Sequence, residues 1–219
     1  MTSALLFDLD GTLVDTDHVH LAAFQSAFAP YGVALDRARY NADILGASNE
    51  LIGRQFLPHL SLEERARILD AKEAAYRAGV GAVDATLGLV ELLDYSDARG
   101  VARAVVTNAP RANADLILAA LGLRERLPLV ICGPELSRGK PDPLPYLTGL
   151  ERTGAVARNS VAFEDSLSGV RAAVAAGIAV IGLTTSLGEA RLMAAGAAFA
   201  VDDFRDDRVY QLIERRIAA

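Results

Sequence analysis

Ala4-Leu5-Leu6-Phe7-Asp8-Leu9-Asp10-Gly11-Thr12-Leu13-Val14-Asp15-Thr16 is the stretch that decides the fold. Its opening, Ala4 to Phe7, is a short unbroken apolar run. That is the pattern of a strand buried on both faces. Asp8 and Asp10 follow two residues apart, so a strand's alternation aims both carboxylates at one small volume. Gly11 then allows a sharp turn. A paired acid at a strand end, beside free backbone N–H groups, suits binding a cation and attacking an electrophile such as a phosphoryl group.

Further apolar runs of the same kind fall at 103–107, 129–132, 160–164 and 179–183, with a weaker one at 197–201. Helical patterns lie between them at 112–121, 144–151, 167–176 and 189–195. This alternation predicts an α/β fold, a Rossmann-like doubly wound parallel sheet with helices on both faces. Residues 16–81 break the alternation, because they are helical throughout. The segment 16–29 is amphipathic, and Ser61 before Leu62-Glu63-Glu64 marks the N-cap of a helix reaching about residue 78. Gly79 and Gly81 end that pattern, and a helix over 85–99, closed by Gly100, returns the chain to the sheet. The expected organisation is a core of residues 1–15 plus 82–219, with a small α-helical cap domain, residues 16–81, inserted after the first strand.

The chain has 219 residues, 52% of them hydrophobic, which is ample for a folded core. Its net charge of −6, with no basic block, disfavours nucleic-acid and anionic-membrane partners. No signal segment or membrane-length apolar run is present. The single cysteine, Cys132, sits in an apolar run and reads as a buried structural thiol. The expectation is a cytoplasmic monomer.

Ligands of open α/β sheets bind at the carboxyl ends of the strands. The first strand ends in Asp8 and Asp10. The second ends in Thr107-Asn108, a hydroxyl and an amide suited to phosphate oxygens. The strand at 160–164 ends in Glu164-Asp165, two acids suited to a hard cation. Gly139-Lys140-Pro141-Asp142-Pro143 adds a stiff loop with one lysine, a point cation for a phosphate or a carboxylate. Each segment alone has an ordinary reading. Thr107-Asn108 is turn chemistry, Lys140 a solvated loop cation, and Glu164-Asp165-Ser166 an N-cap for the helix after it. Their order and shared strand-end placement argue for a site. Asp15 and Asp142 read as structural.

These four segments, in this order, resemble the four motifs of the haloacid dehalogenase-like hydrolase superfamily, and the insert resembles the small helical cap of its β-phosphoglucomutase and phosphoglycolate phosphatase branch. The resemblance implies a Mg²⁺-dependent phosphomonoester hydrolase acting on a small phosphorylated metabolite. Asp8 would be the nucleophile, forming an aspartyl-phosphate, and Asp10 the acid and then the base. The acid step requires a protonated Asp10, and a dense carboxylate cluster can raise its pKa. Mg²⁺ would be held by Asp8, the Asp10 carbonyl, Asp165 and, directly or through water, Glu164. Thr107, Asn108, Lys140 and the backbone N–H groups of Leu9, Asp10 and Gly11 would cradle the phosphate.

Substrate choice should lie in the insert. His20, four residues after Thr16, is a candidate to face the substrate; the alternative is an ordinary helix histidine. His18 and His59 read as surface residues. Gly46-Ala47-Ser48-Asn49 resembles the cap loop of sugar-phosphate members, but Asn49 stands where the mutases commonly carry an arginine for a distal phosphate. Arg54 is too far along the chain to replace it directly. Lys72 with Tyr76 resembles the cap-helix lysine of the same branch, with a solvated lysine as the alternative. The rivals are therefore a β-phosphoglucomutase-like phosphomutase, against which Asn49 argues, a dehalogenase, against which Asp10 argues, and a non-catalytic binding module.

Overall fold

A computed structural model describes residues 2–217. Among them, six strands form one sheet: β1 (Ala4–Phe7), β2 (Ala102–Thr107), β3 (Val130–Cys132), β4 (Val161–Glu164), β5 (Ala179–Leu183) and β6 (Phe199–Val201). Their order is β3-β2-β1-β4-β5-β6, and every pairing is parallel. The chain thus winds from β1 to one edge and then, from β4, to the other. Loops leaving β1 and its neighbours diverge at that reversal and open a crevice at the strand ends.

The period of two sorts the strand residues. Leu5 and Phe7 belong to one apolar layer, and Ala4 and Leu6 to the other. The first layer is covered by α5 (Leu89–Ala98), α6 (Arg111–Ala120) and α10 (Asp207–Ile217), through Leu92, Ile117 and Ile213. The second is covered by α7 (Leu144–Thr153), α8 (Leu167–Ala175) and α9 (Glu189–Ala195), through Tyr146, Val170 and Leu192. Phe7 stacks on Phe163 with ring centroids 4.9 Å apart, and Phe204 meets both rings edge-on. This buried trio lies directly beneath the strand ends and fixes their level. Phe7 is in register with Phe163, and Asp8 N donates to Phe163 O at 3.0 Å, so Asp8 emerges beside Glu164.

Between β1 and β2 the chain forms α1 (Asp17–Phe28), α2 (Arg37–Asp43), α3 (Asn49–Phe56) and α4 (Leu62–Gly79). These helices build their own apolar cluster from residues such as Phe24, Phe28, Ile52, Phe56 and Leu69. Ser61 caps α4 as the sequence predicts: its Oγ accepts from Glu64 N at 3.2 Å, and Glu64 Oε2 accepts from Ser61 N at 2.9 Å. The two ends of the helical segment are joined at the sheet. Val14 bridges Ala85, Thr86 N donates to Leu13 O at 2.9 Å, and Thr86 Oγ1 donates to Thr12 O at 2.7 Å.

Two elements depart from the sequence expectation. The helix expected over 85–99 begins only at Leu89, because Thr86 is held against Leu13 and Gly88 then turns with φ +79°. A Cβ at Gly88 would lie 2.8 Å from the Arg205 backbone nitrogen, so only glycine fits. The final helix α10 is absent from the sequence reading, although Val209, Leu212 and Ile213 form the i, i+3, i+4 stripe that it buries. Cys132 is buried as expected, and burial pushes its thiol up to about 11. Among the described residues, no helix is long and apolar enough to cross a membrane.

Candidate active site

The crevice at the strand ends is a pocket open to solvent and lined by both the sheet ends and the helices α1 to α4. At its floor, Lys140 Nζ donates to Asp8 Oδ1 at 2.6 Å and to Glu164 Oε1 at 2.5 Å. All three groups are buried. Glu164 Oε1 also accepts from Tyr146 Oη at 2.7 Å, and Oε2 accepts from Ser166 Oγ at 3.1 Å. The sequence-expected ligand Glu164 therefore spends both oxygens within the protein, anchoring the lysine. Burial pushes Asp8 up to about 8; Lys140 pulls it down and Glu164 lifts it further. Burial likewise lifts Asp165 well above its ordinary value, with Asp8 as the largest like-charge neighbour.

Asp10 differs from Asp8 although it lies two residues away. Its Oδ1 accepts from Thr16 Oγ1 at 2.5 Å and from Tyr76 Oη at 3.0 Å, and lies 3.4 Å from His20 Nε2. Burial opposes ionisation of Asp10, but His20 and the two hydroxyls outweigh it and hold the carboxyl at about 2. This corrects the expectation of a raised Asp10: the helical segment surrounds it with donors. His20 is thereby placed inside the pocket. It stacks on Tyr76 with centroids 3.8 Å apart, and its Nδ1 lies 3.0 Å from Lys72 Nζ. Lys72 is buried, so the solvated alternative for this residue falls away. Its Nζ lies 3.9 Å from the centroid of the Phe24 ring and donates to Glu73 Oε1 at 3.0 Å.

The residues fit a hard divalent cation. Asp8, Glu164 and Asp165 each bring one carboxylate oxygen into a group whose members all lie within 4.8 Å of one another. Asp165 Oδ2 is buried without a hydrogen-bond partner. It is packed so closely against Gly11 that a Cβ there would sit 2.2 Å from it, so the turn at Gly11, with φ +77°, makes room for this carboxylate. Clustered buried acids with one orphaned oxygen suit a positive charge beyond Lys140, which would hold them ionised against the lift that burial gives them.

Other expected residues are placed differently. Thr107 is buried in the pocket lining, and its Oγ1 accepts from Ala109 N at 3.0 Å. Asn108 lines the pocket, but its amide is committed. Nδ2 donates to Gly46 O and Lys140 O, both at 3.0 Å, and Oδ1 accepts from Lys140 N at 2.9 Å. Its side chain joins two loops and is not free for a phosphate oxygen. Gly11 N donates to Val14 O at 2.7 Å, so the expected backbone cradle narrows to Leu9 and Asp10. Asn49 Nδ2 donates to Glu73 Oε1 at 2.8 Å. Asp142 pairs with Arg138 rather than Lys140, and Asp15 accepts from Asp17 N, both structural as expected. His18 and His59 are exposed. Glu73, Tyr40, Asp17 and Asn113 escaped the sequence reading. The i, i+3 spacing of Glu73 with Tyr76 on one helix face was the available signal for the first of them.

A doubly wound sheet with an acid–lysine cluster at its switch point defines an enzyme site for an anionic substrate. Residues 5–183 match the family model described as haloacid dehalogenase-like hydrolase. The chain is 34% identical over 191 residues to validoxylamine A 7'-phosphate phosphatase of Streptomyces hygroscopicus subsp. limoneus, covering 85% of this chain and 87% of that one. It is 31% identical to phosphorylated carbohydrates phosphatase of Thermotoga maritima, covering 90% and 93%. Among solved structures it resembles a variant of CbbY from Rhodobacter sphaeroides in complex with xylulose-(1,5)bisphosphate, at 30% identity and TM-score 0.79, covering 94% and 96%. The chain belongs to the haloacid dehalogenase-like hydrolases and is an enzyme of their phosphatase kind.

Proposed function

We propose that this enzyme is a Mg²⁺-dependent phosphomonoester hydrolase that releases phosphate from a small phosphorylated metabolite, a sugar phosphate or close analogue. The observation that carries this is the buried cluster at the end of β1 and β4, where Lys140 is fixed between Asp8 and Glu164 and Asp165 keeps an orphaned oxygen. Asp8, Asp165 and the Asp10 carbonyl would hold Mg²⁺, with Glu164 as an outer partner. When bound, the ion neutralises the carboxylates and phosphate oxygens that otherwise repel one another.

The chain's own groups then divide the work. Asp8 Oδ attacks phosphorus, the ester P–O bond breaks, and an aspartyl-phosphate forms. Lys140 keeps Asp8 aimed and offsets charge on the phosphate. Asp10 gives the leaving oxygen its proton; water then attacks the aspartyl-phosphate as Asp10 takes a proton from it, and the Asp8 O–P bond breaks to release inorganic phosphate and free Asp8. The negative charge of a bound phosphate pushes the Asp10 carboxyl up, towards the protonation that the first step needs. Thr16, Tyr76 and His20 orient Asp10. Thr107 and the N–H groups of Leu9 and Asp10 contribute donors to the phosphate.

Residues 16–81 act in this reading as a helical cap over a core of residues 1–15 and 82–219; Met1, Ala218 and Ala219 lie outside the described residues. The cap shields the aspartyl-phosphate and reads the leaving group. A phosphomutase is disfavoured, since Asn49 is occupied with Glu73 and none of the pocket-lining residues is an arginine. The test is phosphate release from a panel of phosphorylated metabolites with Mg²⁺ and after chelation. Mg²⁺-dependent release from one or a few members is expected. Isomerisation of a sugar phosphate outpacing release, given a bisphosphate primer, would replace hydrolase by mutase.

A further inference from the structure

Glu73, like Asp17, is a pocket carboxylate that the proposed chemistry leaves unused. It lies three contacts from Asp10, through His20 and Lys72, on the helical side of the pocket. Both of its oxygens are engaged: Oε1 accepts from Lys72 Nζ at 3.0 Å and Asn49 Nδ2 at 2.8 Å, and Oε2 accepts from Asn113 Nδ2 at 2.7 Å. Arg77 Nη1 donates to Asn113 Oδ1 at 2.8 Å, which fixes the Asn113 amide with its NH₂ towards Glu73. Glu73 and Lys72 are both buried. Three separate elements thus converge to hold one negative charge against one lysine: α4, the start of α3, and α6.

The charge inventory of the pocket gives this arrangement a consequence. Its acids are Asp8, Asp10, Asp17, Glu73 and Asp165, and its only lysines are Lys72 and Lys140. Lys140 is taken by Asp8 and Glu164, and Lys72 by Glu73. A divalent cation at the floor serves one phosphoryl group. A second anionic group reaching the helical side would meet a neutralised lysine backed by a carboxylate, with no arginine in the lining. Hydroxyl groups find donors and acceptors there at no such cost.

We propose that Glu73 is a specificity-determining residue: by closing Lys72 into an ion pair it selects substrates with one phosphoryl group and a neutral, hydroxyl-bearing remainder, against those with a second phosphate or carboxylate. This rests on the hydrolase reading above. The test compares kcat/KM for fructose 6-phosphate and fructose 1,6-bisphosphate in the full-length enzyme with saturating Mg²⁺, with p-nitrophenyl phosphate as a substrate lacking any distal anion. Wild type favours the monophosphate by about tenfold or more, since like charges meet in a poorly solvated pocket. Glu73→Gln keeps the shape and frees the lysine, and lowers that ratio by about tenfold, chiefly through KM for the bisphosphate. Glu73→Thr, neutral and smaller, shifts it in the same direction and serves if the first variant does not fold. The wild-type ratio needs no variant: equal or better use of the bisphosphate overturns the proposal, as does a ratio unmoved in a folded Glu73→Gln. If no substrate, p-nitrophenyl phosphate included, releases phosphate with Mg²⁺, the hydrolase reading itself is overturned, and this inference with it.

Discussion

Gly169→Ala separates two accounts of the site by the sign of its effect on stability. Gly169 lies in the first turn of α8, with ordinary helical backbone, so helix propensity alone makes alanine better by about 1 kcal/mol. The structure predicts the opposite. A Cβ at this position would lie 1.9 Å from Oε2 of Glu164 and 2.0 Å from Oε1. The carboxylate must retreat by about 1.5 Å to reach ordinary contact, which breaks its 2.5 Å bond from Lys140 and its 2.7 Å bond from Tyr146. Breaking a fully buried ion pair costs about 3–5 kcal/mol. Asp8 still holds the ammonium, so the lower figure applies, and the net loss is about 2 kcal/mol. For a chain of this size that is a fall in Tm of roughly 4–8 °C. Lys140 then loses one of the two carboxylates that aim it, and kcat should fall by ~10–100-fold, the order that misplacing a reacting group by an ångström costs. Urea unfolding and thermal melts measure the first effect, and Mg²⁺-dependent phosphate release the second. A Gly169→Ala protein as stable as wild type or more so, with full turnover, would refute the packing of Glu164 against α8 and its role as the anchor of Lys140.

Two further substitutions test the assigned roles. Asp8→Asn should reduce phosphate release below detection while circular dichroism and urea unfolding still report a folded chain, because the amide retains the side chain's shape but cannot form the acyl phosphate. Asp165→Asn should raise the Mg²⁺ concentration for half-maximal rate by at least ~10-fold, and lower the stabilisation given by excess Mg²⁺ by about 1.4 kcal/mol or more, read as a smaller rise in Tm; an unchanged Mg²⁺ requirement would remove Asp165 from the metal site.

The sheet was legible because buried parallel strands advertise themselves: Ala4 to Phe7 and Val161 to Glu164 are short apolar runs with acids at one end, although the side-by-side pairing of these two strands was not readable from them. The α4 start was legible for a local reason as well, since a capping box needs only four consecutive residues. What escaped depends on distant partners. Nothing in the sequence near Gly88 reveals that Arg205 will pack against it, and so the start of α5 was misplaced. Asn108 shows the same limit at the site. Its position at a strand end was readable, but its commitment to Gly46 and Lys140 is set by two loops far from it in the chain. Glu73 offered only its i, i+3 spacing to Tyr76 as a signal, because its meaning as a site residue comes from Asn49 and Asn113, on other elements.

The paired acids of the opening motif carry this argument furthest. Asp8 and Asp10 share a strand end and a sequence environment, yet burial and like charge lift Asp8 to about 8, while donors bring Asp10 to about 2. At Asp8, Glu164 from the end of β4 adds to the lift and Lys140, from the loop after β3, opposes it, whereas Thr16, His20 and Tyr76 around Asp10 come from the helical segment or its first turn. Under the proposed roles the nucleophile Asp8 would need a bound cation to hold it ionised, and Asp10 would need the charge of a bound phosphate to take up its proton, so both acids would reach their working states only when the site is filled. The division also assigns the two halves of the protein different control. Under the proposed roles, positioning of the nucleophile would be set at the sheet ends, through Lys140 and Glu164. The proton on the proposed acid–base group would depend on His20 of α1 and Tyr76 of α4, and Lys72, also on α4, lies against His20, so the residues proposed to read the leaving group would touch those that govern its protonation.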